Sequence, residues 1–215
     1  MRAVVELLAG ARRLVIFTGA GVSAESGIPT FRDALGGLWA RYDPAALATP
    51  AAFADDPALV WGWYEWRRLK VLGVQPNPAH RAIAALSGRI ADTRLVTQNV
   101  DDLHERAGSR DVLHLHGSLH APRCATCAAA YRDALPEAAL REAFAAACEC
   151  DLLLSVGTSG VVQPAARIPG LALEHGASVV HVNPQPVRTR HPREHCLVGP
   201  AGEMLPELLR RAFPG

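Results

Sequence analysis

Short, almost continuously apolar segments recur along this chain, and no other feature of the sequence limits its fold more. They cover residues 14–18, 94–97, 112–115, 152–156 and 178–182, with a shorter candidate at 196–198. Parallel strands have this composition because helices cover both faces of their sheet. Segments with helical spacing lie between them, at 77–87, 101–107, 137–147 and 165–175. The alternation predicts an α/β fold with a Rossmann-like, doubly wound parallel sheet.

Two segments interrupt this alternation. The first and second predicted strands are further apart than one crossover helix requires, and all four tryptophans lie between them. We therefore predict a helical insertion at about residues 33–76, with a helix over 57–72. The second interruption, at about residues 118–133, contains Cys124 and Cys127 and is predicted to be the remnant of a small module. The chain as a whole, 1–215, is predicted to be a single domain.

Composition argues against several functional classes. A net charge of +1 gives no reason to expect a nucleic-acid partner or an anionic membrane surface. No apolar segment reaches the ~20 residues that a transmembrane helix needs. Residues 1–10 have the spacing of a short amphipathic helix and not of a signal peptide. The five cysteines are an odd number and two of them form a C-x-x-C, which favours the reducing cytoplasm over a disulfide-bonded location.

The segment after the first predicted strand has the spacing of a phosphate-binding loop. Gly19, Gly21 and Ala24 form G-x-G-x-x-A between a strand and a helix. The glycines permit a tight turn and let backbone N–H groups approach a diphosphate at the helix N-terminus. A glycine-rich turn without a ligand would share this short pattern. The acidic residue expected ~20 positions later is not where a dehydrogenase would have it, so a dinucleotide is predicted but ordinary hydride transfer is not.

Polar residues follow the second predicted strand, at the edge where a parallel sheet meets its ligands. Gln98, Asn99 and Asp101 lie here, and together they could hold an amide, a ribose hydroxyl and a reacting centre. Asn99 or Asp101 could also simply cap the next helix. Capping needs only one of them and does not explain the whole set.

The later strands end in groups of the same kind. Strand alternation places His114 and His116 on one side, and we predict that His116, just before Gly117, is the general base while His114 is structural. Groups that can bind ribose and phosphate oxygens end the fourth and fifth strands: Gly157, Thr158, Ser159 and Asn183.

These motifs resemble those of the sirtuin family. The matching blocks are 18–32, 97–108, 114–117 and 157–159, and they occur in the family's order. The resemblance implies NAD as the cofactor. It also implies a role for each matching residue: Ala20, Phe31 and Arg32 at the nicotinamide end, Gln98 on the ribose, Asn99 and Asp101 in the nicotinamide pocket, His116 as base, Gly157, Thr158, Ser159 and Asn183 on phosphate and adenosine ribose, and Ala201 near the adenine.

The resemblance further implies an NAD-dependent protein-lysine deacylase that yields nicotinamide, O-acyl-ADP-ribose and free lysine. The acyl oxygen would attack the ribose carbon as nicotinamide leaves, and His116 would then remove a ribose hydroxyl proton. Positioning and exclusion of water would supply most of the catalysis. The implied partners are acyl-lysine proteins or peptides.

Tyr64 and Arg67 resemble the Y-x-x-R of the sirtuin branch that accepts succinyl- and malonyl-lysine. Positions i and i+3 share one face of a helix, and a guanidinium with a phenol can hold a carboxylate at the end of an acyl chain. The alternative is that Tyr64 belongs to the core and Arg67 is solvated.

One region departs from the family. Sirtuins usually bind zinc through two C-x-x-C pairs, followed by a segment that pairs with the substrate peptide as an added strand. Here only Cys124 and Cys127 are present and the segment is missing, which indicates an internal deletion. Cys148 and Cys150 could complete a four-thiolate zinc site. Both belong to the predicted core, however, and two thiols alone favour a loop without metal.

Three hypotheses follow. The first is a deacetylase or desuccinylase of the sirtuin type. The second keeps NAD but changes the acceptor, as in an NAD glycohydrolase or ADP-ribosyltransferase, because one wall of the peptide site is missing. The third is a catalytically weakened NAD-binding remnant, against which Asn99, Asp101 and His116 argue, since a binding module needs no base.

Overall fold

The computed structural model describes residues 1–30, 42–43, 47–120 and 137–214 of the chain. Six parallel strands form one sheet in the order β3-β2-β1-β4-β5-β6. This is the Rossmann strand order, so the predicted fold class is confirmed. The strands are β1 Arg13–Thr18, β2 Asp92–Thr97, β3 Leu113–His114, β4 Leu152–Val156, β5 Ser178–Asn183 and β6 Glu194–Val198.

The described helices lie before, between and after the strands. They are α1 Arg2–Gly10, α2 Gly21–Ala24, α3 Pro50–Asp55, α4 Pro57–Leu72, α5 Pro78–Ser87, α6 Leu103–Arg106, α7 Glu137–Glu149, α8 Ile168–Glu174 and α9 Ala201–Ala212, with a 3-10 turn at Ala165–Arg167. None of the helices in these described ranges is long and apolar enough to cross a bilayer.

Both faces of the sheet are buried, as the continuous apolar strands predict. Leu14 and Ile16 of β1 belong to a core with α1, α5 and α9. Val15 and Phe17, the alternate residues, belong to a second core with α7 and α8. Side chains of a strand point alternately to opposite faces, so β1 anchors both cores and fixes the loop that follows it.

The structure differs from the predicted elements at β3 and α9. β3 is two residues long, shorter than the predicted 112–115, and pairs with Val96 and Thr97 at the end of β2. The sequence analysis predicts no element at α9, where Gly202 and Pro206 lower the helix propensity. Burial of its apolar side against α5, with Leu205 and Leu208 fully covered, supports this helix instead.

Within the predicted insertion, α3 and α4 are described. Their small core contains Leu47, Val60 and Trp63. Thr49 caps α3, and Asp56 caps α4 by accepting from the backbone N–H of Leu59 at 2.9 Å. The domain boundaries given above stay predictions.

Candidate active site

The loops after β1, β4 and β5 are joined through their backbones. The N–H of Gly19 donates to Val156 O at 3.1 Å, and the N–H of Gly21 donates to Gly157 O at 3.0 Å. The N–H of Gly157 in turn donates to Val182 O at 3.0 Å. The predicted phosphate loop is therefore part of one continuous edge at the carboxyl ends of three strands.

This approach of two loops requires glycine. A Cβ on Gly21 would lie 2.7 Å from Gly157 Cα, and a Cβ on Gly157 would lie 2.3 Å from Val22 N. Gly157 also has a φ of +62°, which L side chains rarely adopt. The backbone at Gly19, Gly21 and Gly157 therefore carries no side chains, as a site for a diphosphate requires.

Ser23 lies at the centre of a buried polar network between the first and second strand ends. Its hydroxyl donates to Asp101 Oδ2 at 3.0 Å and accepts from Asn99 Nδ2 at 3.0 Å. A third partner is His80 Nε2, at 3.4 Å. The network brings together the two predicted catalytic residues Asn99 and Asp101, and it adds Ser23 and His80, which the sequence analysis misses.

The start of α5 determines the role of His80. Asn77 caps this helix, and His80 Nδ1 accepts from the backbone N–H of Asn77 at 3.3 Å. The ring hydrogen is therefore on Nε2, which donates to Ser23. Burial, with a smaller contribution from the charge of Arg81, lowers the pKa of His80 to about 4. His80 is a neutral donor at physiological pH.

A second buried histidine, His104, lies next to His80. Thr18 Oγ1 donates to Thr97 Oγ1 at 2.8 Å, so it accepts from His104 Nε2 at 3.0 Å. Burial lowers the pKa of His104 to about 3. Its ring meets that of His80 edge-on, with centroids 4.9 Å apart. Two neutral histidines thus support the ends of β1 and β2.

Asp101 contacts both the start of α6 and the Ser23 network. Its Oδ1 accepts from Leu103 N at 3.2 Å at the start of α6, and its Oδ2 accepts from Ser23. Burial raises the pKa of Asp101, against the hydrogen bonds from Leu103 and Ser23 and the charge of His114, which lower it. The carboxylate that accepts from the first backbone N–H of α6 therefore also belongs to the polar network.

The two histidines around β3 differ in their surroundings. His114 pairs in register with Thr97, and its ring bonds the Asn99 carbonyl and the Glu105 carboxylate. Burial lowers the pKa of His116. His114 is thus held at both ring nitrogens, whereas His116 is a half-buried imidazole whose neutral form is favoured.

A cavity of about 250 Å³ opens at this edge of the sheet. Four of the predicted cofactor residues line it, namely Gln98, Thr158, Ser159 and Asn183. Ser155, His181 and Glu194 also contribute to its wall. Asn183 Nδ2 donates to Thr158 O at 3.4 Å, which joins the ends of β4 and β5. A larger groove, about 450 Å³, lies between α5 and α9 and contains none of the predicted residues.

The start of α9 completes the edge. Ala201 is buried as the first residue of this helix. The next backbone N–H, that of Gly202, donates to Glu25 Oε1 at 2.9 Å. Glu25 follows Ala24, the last residue of the glycine loop motif, so Ala201 is held beside that loop.

Tyr64 and Arg67 lie together on α4. The Arg67 guanidinium is 4.7 Å from the ring centroid of Trp63 and 5.7 Å from that of Tyr64. Burial lowers the pKa of Arg67, while Tyr64 and the charge of Asp101 raise it. Arg67 is therefore half-buried against these two rings, and its charge acts on the same carboxylate that Ser23 holds.

Four predicted site residues lie outside the described residues: Phe31, Arg32, Cys124 and Cys127. Among residues that are described, no cluster of His, Cys, Asp or Glu could hold a metal ion. Cys150 is buried, its Sγ donates to Ala147 O at 3.3 Å, and burial raises its pKa to about 12. A thiol that stays protonated is a poor metal ligand, which argues against a zinc site through Cys150.

Comparison with known proteins identifies the family. The sequence model of the Sir2 family matches residues 19–139. The chain belongs to the Sir2 family. A Sir2 homologue in complex with 2'-O-acetyl ADP ribose superposes with a TM-score of 0.88 at 41% identity, over 99% of this chain and 96% of that chain. A Sir2 homologue–NAD complex gives a TM-score of 0.84 at 40% identity, over 99% and 93%.

The similar curated Sir2 proteins are named NAD-dependent protein deacylases. One from Pseudomonas aeruginosa, NAD-dependent protein deacylase 1, is 85% identical over 250 aligned residues that cover 100% of both chains. One from Methylococcus capsulatus is 50% identical over 250 residues, covering 97% of this chain and 98% of its own. The 250 positions of the first alignment exceed the 215 residues of this chain by 35, so at least that many internal positions have no counterpart here.

Proposed function

We propose that this chain is an NAD-dependent protein-lysine deacylase that forms nicotinamide, O-acyl-ADP-ribose and free lysine. The observation that carries the proposal is the buried Ser23 network, which joins Asn99 and Asp101 at the carboxyl edge of a Rossmann sheet. Membership of the Sir2 family and the deacylase names of its relatives support it.

The residues present fit NAD. The bare backbone edge formed by Gly19, Gly21 and Gly157 would receive the diphosphate, because any side chain there would collide with the facing loop. Gln98, Thr158, Ser159 and Asn183, all in the wall of the cavity, would hold the ribose and phosphate oxygens. We assign Ala201 to the adenine end, and Ala20, Phe31 and Arg32 to the nicotinamide end.

Asn99 and Asp101 would orient the nicotinamide and its ribose, so that the acyl oxygen of the substrate reaches the ribose carbon from the opposite side. His116 would then accept a proton from the ribose hydroxyl that attacks the acyl carbon, and one water molecule would complete the transfer as the lysine amine leaves. Because burial lowers the pKa of His116, the ring is neutral and ready to accept a proton at neutral pH. The chain's contribution is mostly positioning and the exclusion of water.

We also propose that the acyl group carries a terminal carboxylate, as in succinyl- or malonyl-lysine. Arg67 is half-buried beside the ring of Tyr64, so a guanidinium and a phenol share one helix face. A carboxylate bound next to the Arg67 guanidinium would offset the free-energy cost of removing that charge from water. This preference is separate from the deacylase activity itself, because the same reaction would also remove a neutral acetyl group.

A second candidate is NAD glycohydrolase or ADP-ribosyltransferase activity. The 35 positions without a counterpart motivate it, if they include the segment that covers the substrate peptide. We place the gap near residues 118–133, where the sequence departs from its family.

Acyl-lysine proteins remain the proposed partners. The cytoplasm is the proposed location, consistent with the free thiols of Cys148, Cys150 and Cys196.

Mass spectrometry of the products tests the proposal. The purified chain is incubated with NAD and an acetyl- or succinyl-lysine peptide. O-acyl-ADP-ribose together with the unmodified lysine peptide supports deacylation. Free ADP-ribose with the peptide unchanged contradicts it and supports the glycohydrolase, whereas ADP-ribosylated peptide supports the transferase.

A further inference from the structure

The ring of His114 has a hydrogen-bond acceptor at each nitrogen. Nδ1 lies 2.9 Å from the carbonyl oxygen of Asn99, and Nε2 lies 2.7 Å from Glu105 Oε1. A carbonyl and a carboxylate only accept hydrogen bonds. Both ring nitrogens therefore carry hydrogen, and His114 is an imidazolium paired with Glu105.

The electrostatics agree with this geometry. Burial alone would lower the pKa of His114, but the bonds to Glu105 and the Asn99 carbonyl, with the charges of Glu105 and Asp101, raise it. Burial alone would raise the pKa of Glu105, but the bond from His114 outweighs it and lowers that pKa. The side chains are 17% and 42% exposed, so water screens this pair only in part.

Asn99 is held at three of its four polar groups. Its N–H donates to Thr97 Oγ1 at 3.0 Å, its carbonyl accepts from His114, and its Nδ2 donates to Ser23. No residue in the described ranges bonds its Oδ1, which leaves that oxygen for a ligand. The His114 contact is the only one of the three that carries a full charge.

We propose that the His114–Glu105 ion pair is a positioning device for NAD: it fixes the peptide group of Asn99, and thereby the Asn99 amide and Asp101, in the geometry that receives the nicotinamide ribose. This rests on the proposed function. His114 does not touch the reacting atoms, so it acts through Asn99. The pair joins β3 to α6, and the bond from His114 to the Asn99 carbonyl extends this connection to the loop between β2 and α6.

The titratable and charged groups around His114 come from three elements. Glu105 and His104 lie on α6, Asp101 and Asp102 precede that helix, and His120, which follows β3, acts on Glu105. Among these charged groups of the described ranges, Glu105 is the one that bonds the ring directly. As the pH rises through the raised pKa of His114, the ring loses one of its two N–H donors, so it can no longer donate to both the Asn99 carbonyl and the Glu105 carboxylate. Affinity for NAD should then fall on the alkaline side.

The test uses Glu105→Gln, which keeps the shape of the side chain but removes its charge, and His114→Gln. Each variant is expected to raise KM for NAD about ten-fold, because that is the usual cost of losing one hydrogen bond to a charged group. The effect on kcat should be smaller. The double variant should be no worse than either single one, because both remove the same interaction. The control is Glu137→Gln, which removes an exposed carboxylate that pairs with Arg141 and should change nothing.

A readout that needs no turnover completes the test. Nitrogen-15 NMR of the histidines in the wild-type chain should show both nitrogens of His114 protonated at pH 7, with a midpoint above the ordinary ~6.5, and a lower midpoint in Glu105→Gln. A His114 midpoint at or below the ordinary value overturns the proposal, as does an unchanged KM for NAD in both variants. If the wild type shows no deacylation, the proposed function fails, and the NMR result still decides the state of His114.

Discussion

Ser23 Oγ donates a hydrogen bond to Asp101 Oδ2 at 3.0 Å, although the two residues are 78 positions apart in the chain. Ser23 lies in the first turn after β1, and Asp101 precedes the helix after β2. Because Ser23 also accepts from Asn99, one hydroxyl sets the relative positions of both polar residues proposed to meet the nicotinamide. The phosphate loop and the reacting centre are thus one unit.

Ser23→Ala should lower kcat/KM for NAD by about 10- to 100-fold, the cost of losing a hydrogen bond to a charged group. The pKa of Asp101 should rise further, since the bond from Ser23 lowers it. Steady-state kinetics measure the first effect. Ser26→Ala is the matched control, because Ser26 Oγ is buried without a hydrogen-bond partner in the described part of the chain. Equal losses in both variants would contradict the role given to Ser23.

The fold was predictable because the hydrophobic pattern of the sequence marks its strands and because polar and glycine residues mark the strand ends. Continuous apolar runs identified all six strands, and the glycine spacing identified the loop after β1. The Ser23 network was not predictable from spacing alone, because Ser23 and His80 meet only once two crossovers have folded. A serine between glycines has no distinctive pattern, and a histidine three residues after Asn77 has the pattern of a capping box, which His80 also forms. The roles proposed for Phe31 and Arg32 at the nicotinamide end rest on the family resemblance alone.

Gly157→Ala should destabilise the chain by at least about 2 kcal/mol, since it combines a positive φ with a backbone collision. The added Cβ would lie 2.3 Å from Val22 N, so the two loops would have to separate and NAD affinity should fall with stability. Urea unfolding and calorimetric titration with NAD measure the two effects. Gly170→Ala, on α8 with open space at its Cβ, should leave stability unchanged or raise it by up to about 1 kcal/mol. A stable Gly157→Ala chain that binds NAD normally would refute the tight-loop account.

His104 should make the chain less stable as the pH falls. Its folded pKa, about 3, lies below the unfolded value, so its stabilising contribution is complete above ~6.5 and is lost as the pH falls from there toward the folded value. In His104→Gln that loss is absent. The difference in unfolding free energy between wild type and variant should therefore shrink by up to about 1.4 kcal/mol per pH unit between pH 6.5 and 5. A difference that is independent of pH would mean that His104 is protonated in the folded chain.

Arg67→Met should reduce desuccinylation at least ten-fold more than deacetylation, because only the succinyl group brings a carboxylate to the guanidinium. The comparison is kcat/KM for two peptides that differ only in the acyl group. Arg68→Met, which removes the neighbouring guanidinium and its pair with Glu65, is the matched control and should affect both peptides alike. Equal losses on both peptides in Arg67→Met would exclude the carboxylate-binding role.

The most direct measurement of the central claim is the time course of nicotinamide release with and without an acyl-lysine peptide, alongside the amount of free-lysine peptide formed. The account predicts that release depends on the peptide, that nicotinamide and deacylated peptide form in equal amounts, and that His116→Tyr abolishes formation of the deacylated peptide. Nicotinamide release that proceeds at the same rate without peptide, with no lysine unmasked, would contradict it.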